Sequence, residues 1–110
     1  MQRSVRRSRY SQRERETDYM LWVKTLPCCC SHLGACEGVV EADHAGARGL
    51  GMKASDWTCI PICTLHHRQR TDFSGPFKTW DQTMMRVLLA DTIVETQLLA
   101  RANGFEVPTS

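Results

Sequence analysis

The sequence has no long hydrophobic run, and this excludes several classes of protein. No apolar stretch exceeds a handful of residues, and the segment from Met20 to Val23 is typical. A membrane-spanning helix would need about 20 predominantly apolar residues. The first seven residues contain no hydrophobic segment, so we expect no secretory signal peptide. Internal repeats and Walker-type or dinucleotide-binding glycine motifs are also absent from the sequence. We therefore expect a cytoplasmic protein with no membrane partner.

The chain has the size and composition of one ordinary globular domain. Its 110 residues are 42% hydrophobic, which is close to the globular average and argues against wholesale disorder. The charge is uneven, because residues 1–16 carry six arginines and only two glutamates. We interpret residues 1–16 as a flexible basic arm and residues 17–110 as a single domain. Such an arm suits contact with a phosphate backbone, although a solvated terminus would look the same.

The middle of the sequence predicts two short strands and a helix. Residues 39–44 form the first expected strand, and residues 57–60 form a β-favouring partner that Pro61 would end. A short helix is expected over residues 63–70. The order strand, strand, helix predicts a small α+β fold.

Two further helices are expected on either side of this unit. Thr17 or Asp18 could cap a short N-terminal helix. Thr79 and Gln82 have the spacing of a capping box and predict a long C-terminal helix. The core-facing stripe of that helix is expected to consist of apolar residues at helical spacing: Trp80, Met84, Val87, Leu88, Val94 and Leu98.

Six cysteines in a chain without an export signal point to metal binding, because disulfides are rare in a reducing compartment. Cys63 and His66 are three residues apart, which places both on one face of a helix. Cys28 and Cys36 bracket a loop, and together the four residues match the donors of a tetrahedral structural zinc site. Buried free cysteines are the alternative. Four other residues could replace a named ligand: Cys29, Cys30, His32 and Cys59.

A second group of candidate residues is formed by Asp43, His44 and His67. Asp43 and His44 are consecutive at the end of a predicted strand, so their side chains point to different sides. One could bind a metal ion while the other acts on a water molecule. His67 follows His66, so it lies about 100° away around the same helix, and we expect it to be aimed at Asp43 and His44. An ion site that has oxygen ligands and open coordination positions favours Mg²⁺ or Mn²⁺.

These residues resemble the HNH endonuclease family, whose core is the ββα-metal fold. The closest resemblance is to small zinc-containing HNH proteins of bacteriophages and prophages, including Ref-like recombination-enhancement nucleases. The resemblance covers about 45 residues, and it is carried by Leu26-Pro27-Cys28, Cys36, Glu41-Ala42-Asp43-His44, Gly49-Leu50-Gly51-Met52-Lys53, Asp56, Ile60-Pro61-Ile62-Cys63 and His66-His67.

The resemblance implies a DNA endonuclease and assigns a role to each matching residue. His44 would be the general base, because an imidazole with a pKa of about 6.5 suits proton transfer near neutral pH. Asp43 and His67 would hold the catalytic ion, which would stabilise charge on the scissile phosphate. Arg48 or Lys53 could hold the DNA backbone, or both could be solvated loop charges.

Two departures from the family pattern leave an alternative open. The middle asparagine of the motif is not evident, since Asp56 and Thr58 stand in that region. Many relatives have a further histidine where this chain has Thr71, and Asp72 or water would have to replace it as a ligand. The alternative function is a zinc-stabilised adaptor that binds nucleic acid or protein on an inactive scaffold. For either function, a recombinase or a phage protein is a possible partner in a bacterial or phage-infected cell.

Overall fold

The computed structural model describes residues 15–46 and 55–108. Within these ranges it has the predicted α+β composition, with a two-stranded sheet and three helices. None of the described helices is long and apolar enough to cross a membrane. The elements in chain order are α1 (15–23), β1 (Val40–His44), β2 (Cys59–Cys63), α2 (Thr64–Asp72) and α3 (Gln82–Ala102).

Strands β1 and β2 form an antiparallel hairpin whose register pairs His44 with Cys59. The prediction that Pro61 ends the second strand is wrong, because Pro61 lies in the middle of β2. The carbonyl of Pro61 accepts a hydrogen bond from the backbone N–H of Cys29, at 2.8 Å, and so points away from β1. The nitrogen and carbonyl of one residue face the same side of an antiparallel strand. The missing N–H of proline therefore removes no bond between the two strands.

Strand β2 is the buried centre of the fold. All five of its residues are buried, and both α2 and α3 contact it. Two groups of buried side chains fill the core around this strand. One group contains Cys28, Cys30, Ile62, Cys63, Phe77 and Met85. The other contains Tyr19, Val23, Cys59, Ala100 and Val107.

Helix α1 begins earlier than the sequence predicts. Residues 15–23 are helical, so Thr17 and Asp18 lie inside the helix and neither caps it. The last two residues of the expected arm, 15 and 16, are therefore helical, and Arg15 pairs with Glu106 at 2.7 Å. The remainder of the predicted arm, residues 1–14, lies outside the described residues.

Helix α3 turns a different face to the core than the one predicted. Asp81 is its N-cap, with Oδ1 accepting a hydrogen bond from Met84 N at 2.8 Å, so the proposed capping box of Thr79 and Gln82 is wrong. Trp80 precedes the helix, and it packs half-buried against the core together with Leu88. The other predicted core residues are 46% to 59% exposed: Met84, Val87, Val94 and Leu98.

The buried face of α3 is built mainly from small side chains. Thr92, Thr96 and Ala100 are buried there together with Met85. The hydroxyl of Thr92 donates to the carbonyl of Leu88, and the hydroxyl of Thr96 donates to that of Thr92, both at 2.7 Å. Because each hydroxyl is satisfied within the helix, both threonines can be buried without an unpaired polar group. Hydrophobicity alone does not identify this face.

Candidate metal centre and the adjoining histidine sites

Four side chains that are far apart in sequence converge at the junction of β2 and α2. The ligand atoms of Cys28, Cys36, Cys63 and His66 all lie within 4.8 Å of one another. Nδ1 of His66 lies 3.6 Å from Sγ of Cys28, 3.7 Å from Sγ of Cys36 and 3.1 Å from Sγ of Cys63. The structure therefore brings together the four residues that the sequence spacing singled out.

The cluster is held in place by the backbone around it. Cys63 ends β2 and is the N-cap of α2, where its sulfur accepts a hydrogen bond from the N–H of His66 at 3.4 Å. The sulfur of Cys28 accepts hydrogen bonds from the N–H groups of Cys63, at 3.2 Å, and Cys30, at 3.4 Å. Thus the loop after α1 is joined to the start of α2 at this point.

The donor set and its spacing fit a tetrahedral metal ion. Bonds of about 2.3 Å to sulfur and 2.0 Å to nitrogen put neighbouring donors about 3.5 Å apart in a tetrahedron. Burial opposes ionisation of Cys63, but N–H groups including that of His66 donate to its sulfur, and its pKa is lowered overall. The pKa of Cys28 is raised, chiefly by burial, and that of Cys36 is raised as well, so Cys63 is the thiol of the cluster that ionises most readily. A lowered pKa favours the thiolate, the form that binds metal. The four residues could therefore hold a metal ion such as zinc.

The alternative ligands lie outside this cluster. The sulfurs of Cys29 and Cys30 are 3.7 Å from each other. Cys59 is fully buried in the second core group, and burial raises its pKa to about 12. His32 is exposed in a 3₁₀ turn. Within residues 15–46 and 55–108, no group that could hold a metal includes any of these four residues.

His67 lies between two carboxylates on one face of β1. Its Nδ1 is 2.6 Å from Oε1 of Glu41, and its Nε2 is 3.3 Å from Oδ1 of Asp43. The hydrogen bond with His67 is the main reason that the pKa of Glu41 is lowered. Side chains two residues apart on a strand share a face. This alternation indicates from the sequence that Glu41 lies on the same face of β1 as Asp43. The sequence pattern alone assigns Glu41 no role of its own.

Arg70 is a second residue whose role in this site the sequence reasoning missed. It donates through Nε to Oδ2 of Asp43 at 2.8 Å and makes a second, shorter bond to the same oxygen through a terminal nitrogen. Asp43 is only 7% exposed, so the guanidinium supplies the countercharge that a buried carboxylate needs. Oδ1 of Asp43 is left facing His67.

His44 has a different partner from His67. Alternation along β1 puts His44 on the face opposite Glu41 and Asp43, and its Nε2 lies 2.6 Å from Oδ1 of Asp56. The contacts of His67 are to Glu41 and Asp43, so of the two expected neighbours of His67 only Asp43 is in contact with it. Asp43 and His44 thus serve two separate pairs on the two sides of the strand.

An open groove of about 290 Å³ lies beside His67. Acidic, basic and hydroxyl-bearing side chains contribute to its lining. Asp72, which the sequence offered as a further ligand, lines this groove with His67, but among the described residues the ion pairs of His67 are with Glu41 and Asp43. The lining residues are Glu41, Thr64, His67, Arg68, Thr71 and Asp72. Arg48 and Lys53, the predicted DNA contacts, lie outside the described residues.

Fold and site together define a small α+β protein with a three-cysteine, one-histidine candidate metal centre. The chain belongs to the family described as "Protein of unknown function (DUF968)", whose model matches residues 5–93. It is 39% identical over 51 residues to the uncharacterized protein YdfU of Escherichia coli (strain K12). That match covers 46% of this chain and 14% of the relative. No solved structure matches the chain significantly.

Proposed function

We propose that this chain is the catalytic module of a metal-dependent DNA endonuclease of the HNH type. The observation that carries the proposal is the pairing of Asp43 with His67 on one side of β1, while His44 stands on the other side. A nuclease of this kind needs both an ion site and a general base, and the consecutive residues Asp43 and His44 at the end of β1 would supply one group to each.

The geometry of Asp43 and His67 fits a hard divalent ion. Oδ1 of Asp43 and Nε2 of His67 are 3.3 Å apart, and two neighbouring ligands of an octahedral ion at about 2.1 Å lie about 3 Å apart. Glu41 engages Nδ1 of His67 and so leaves Nε2 for the ion. Mg²⁺ or Mn²⁺ bound there would stabilise negative charge on the scissile phosphate and the departing 3′ oxygen.

His44 is the proposed general base for hydrolysis. It accepts a proton from a water molecule as the water oxygen bonds to phosphorus and the bond from phosphorus to the 3′ oxygen breaks. The exposed side chain of Arg68 lines the groove beside His67, where it can contact a backbone phosphate. The arginines of residues 1–16, with Arg48 and Lys53, add further phosphate contacts in this proposal.

The zinc centre has a structural role in the proposed enzyme. His66 belongs to the metal cluster, and His67 is the next residue along α2. Zinc would join the loop of Cys28 and the loop of Cys36 to the start of α2, which fixes the direction in which His67 points. Removing zinc would therefore disturb the ion site without removing any of its ligands.

One observation favours a second candidate function, a nucleic-acid-binding adaptor without catalysis. Arg70 already neutralises Asp43, and a guanidinium beside a carboxylate lowers its attraction for a cation. If the protein is such an adaptor, zinc is retained and DNA binding weakens steeply with salt, but no divalent ion supports cleavage. A recombinase or phage protein would then be the candidate partner that supplies the chemistry.

A plasmid-nicking assay tests the proposed function. Purified zinc-loaded protein is incubated with supercoiled plasmid in Mg²⁺, Mn²⁺, Zn²⁺ or EDTA, and nicked circles are counted. We expect nicking with Mg²⁺ or Mn²⁺, and a loss of about 100- to 10,000-fold in His44→Ala, the usual contribution of a general base. His32→Ala is the matched control, because His32 is exposed and outside both sites.

Each outcome of this assay separates the two candidate functions. Salt-sensitive DNA binding without nicking in any ion would exclude the nuclease and support the adaptor. Full nicking by His44→Ala would remove His44 from the role of general base. Zinc content is measured on every variant, so that a loss of activity is not mistaken for a loss of the structural metal.

A further inference from the structure

We propose that Asp56 is a positioning residue that holds His44 in the tautomer protonated on Nε2, with the lone pair of Nδ1 free for the attacking water. The inference deepens the proposed nuclease function and rests on it. Asp56 does not touch the reacting atoms in this proposal. It acts through His44 alone.

The hydrogen bond between the two side chains defines the tautomer. Nε2 of His44 lies 2.6 Å from Oδ1 of Asp56. An ionised carboxylate has no proton to donate, so the imidazole nitrogen must be the donor in this bond. A neutral imidazole that carries its proton on Nε2 has an acceptor lone pair on Nδ1. Nδ1 is therefore the nitrogen of His44 that can take a proton from water.

The turn that carries Asp56 is anchored rather than loose. Asp56 begins a 3₁₀ turn capped by Ser55, whose hydroxyl accepts a hydrogen bond from the N–H of Trp57 at 3.2 Å. Helix α3 secures the same turn, because Nε2 of Gln97 donates to the carbonyl of Trp57 at 2.7 Å. A side chain on such a turn can hold a partner in a fixed orientation.

The chain that follows His44 is tied to this same turn. The N–H of Ala45 donates to the carbonyl of Thr58 at 3.3 Å, and the N–H of Gly46 donates to the hydroxyl of Thr58 at 3.2 Å. A Cβ at Gly46 would lie 2.6 Å from the side chain of Thr58, so this close approach requires glycine. The chain segments that carry His44 and Asp56 are thus joined next to these residues by bonds other than their side-chain contact.

If His44 and Asp56 formed only a structural ion pair, replacing Asp56 would change the stability of the fold rather than the tautomer of His44. The side chains of His44 and Asp56 are 30% and 36% exposed, and ion pairs that water reaches stabilise folds little. Replacing Asp56 should therefore leave folding and zinc content almost unchanged while it alters the imidazole of His44. This contrast gives the proposal a readout that does not depend on cleavage.

The first test is nitrogen NMR of full-length, zinc-loaded protein labelled in its four histidines. Spectra are recorded near pH 8.5, about two units above the ordinary pKa of imidazole, and His44→Ala assigns the His44 signals. We expect His44 to carry its proton on Nε2 in the wild type and to become a mixture of tautomers in Asp56→Ala. A wild-type proton on Nδ1, or an unchanged tautomer in Asp56→Ala, would overturn the proposal.

The second test is steady-state nicking by Asp56→Ala, which removes the acceptor, with Asp91→Ala as the matched control on the exposed surface of α3. Loss of an outer-shell partner typically costs about 10- to 100-fold in activity, and we expect this loss in kcat with KM changed less than about twofold. Equal kcat in Asp56→Ala and wild type would overturn the proposal. If the wild type does not nick DNA, the proposed function fails, and the NMR result alone decides whether Asp56 orients His44.

Discussion

Arg70 and Asp43 form a buried ion pair that joins α2 to β1. Nε of Arg70 lies 2.8 Å from Oδ2 of Asp43, and the other carboxylate oxygen faces Nε2 of His67 at 3.3 Å. One carboxylate therefore connects the helix to the strand and also forms half of the candidate ion site. The orientation of Asp43 in that site depends on Arg70.

Arg70→Ala is expected to destabilise the fold by about 3 kcal/mol, because it leaves the carboxylate of Asp43 buried and without its countercharge. Arg68→Ala is the matched control. Arg68 lies on the same helix but is exposed, so its loss should change the free energy of unfolding by less than about 0.5 kcal/mol. Urea unfolding of both variants measures the difference. Equal stabilities would mean that the pair contributes no more than a surface contact.

The metal centre gives a second prediction. Cys63→Ser should abolish the binding of one zinc ion per chain, because it removes a thiolate from the centre of the four-residue cluster. Cys29→Ser should retain the zinc, since Cys29 is close in sequence to Cys28 but lies outside the cluster. Elemental analysis of protein purified with added zinc gives the metal content. Zinc loss in Cys29→Ser with retention in Cys63→Ser would contradict the assignment.

The metal cluster could be found from the sequence because local geometry brings its best-defined pair together. A helix start with cysteine and histidine three residues apart places both on one face. The sequence does not determine as clearly that Cys28, rather than Cys29 or Cys30, is the metal ligand. The spacing within an irregular loop does not specify which sulfur points toward the cluster.

The partners of the two partly buried histidines, His44 and His67, could not be assigned in the same way. Pairing His44 with Asp56 requires knowledge of the turn before β2, and pairing His67 with Glu41 requires the packing of α2 on β1. Both contacts depend on tertiary structure. Sequence alternation could show only that Glu41 and Asp43 share a face of the strand.

Helix α3 shows where a hydrophobic pattern gives the wrong face. Its interior side carries two threonines that bond to their own helix, so the apolar stripe of the sequence faces outward. Met85→Ala should cost about 2 to 3 kcal/mol of unfolding free energy, as truncations of buried side chains do. Val87→Ala, at a position that is 55% exposed, should cost less than about 0.5 kcal/mol. Chemical denaturation of the two variants distinguishes the two faces of α3. A larger loss of stability in Val87→Ala than in Met85→Ala would mean that the apolar stripe predicted from the sequence is the buried face.

Tyr19 provides a prediction for alkaline pH. Burial, reinforced by the charge of Cys59, raises the pKa of Tyr19 from 10.0 to about 12. A raised pKa in the folded state means that the stabilising contribution is complete below pH 10 and is lost as the pH rises through about 12. A shift of this size corresponds to about 2 kcal/mol lost between those two pH values.

Tyr19→Phe should remove this part of the alkaline loss of stability. Its neutral-pH stability should be unchanged or higher by up to about 1 kcal/mol, because the buried hydroxyl has no hydrogen-bond partner among the described residues. Cys59, whose pKa burial raises from 9.0 to about 12, should leave a remaining decline in the variant. Denaturant midpoints measured for both proteins from pH 8 to about 12 test the difference in slope. Parallel curves over this range would show that the phenol ionises as easily in the folded chain as in the unfolded one.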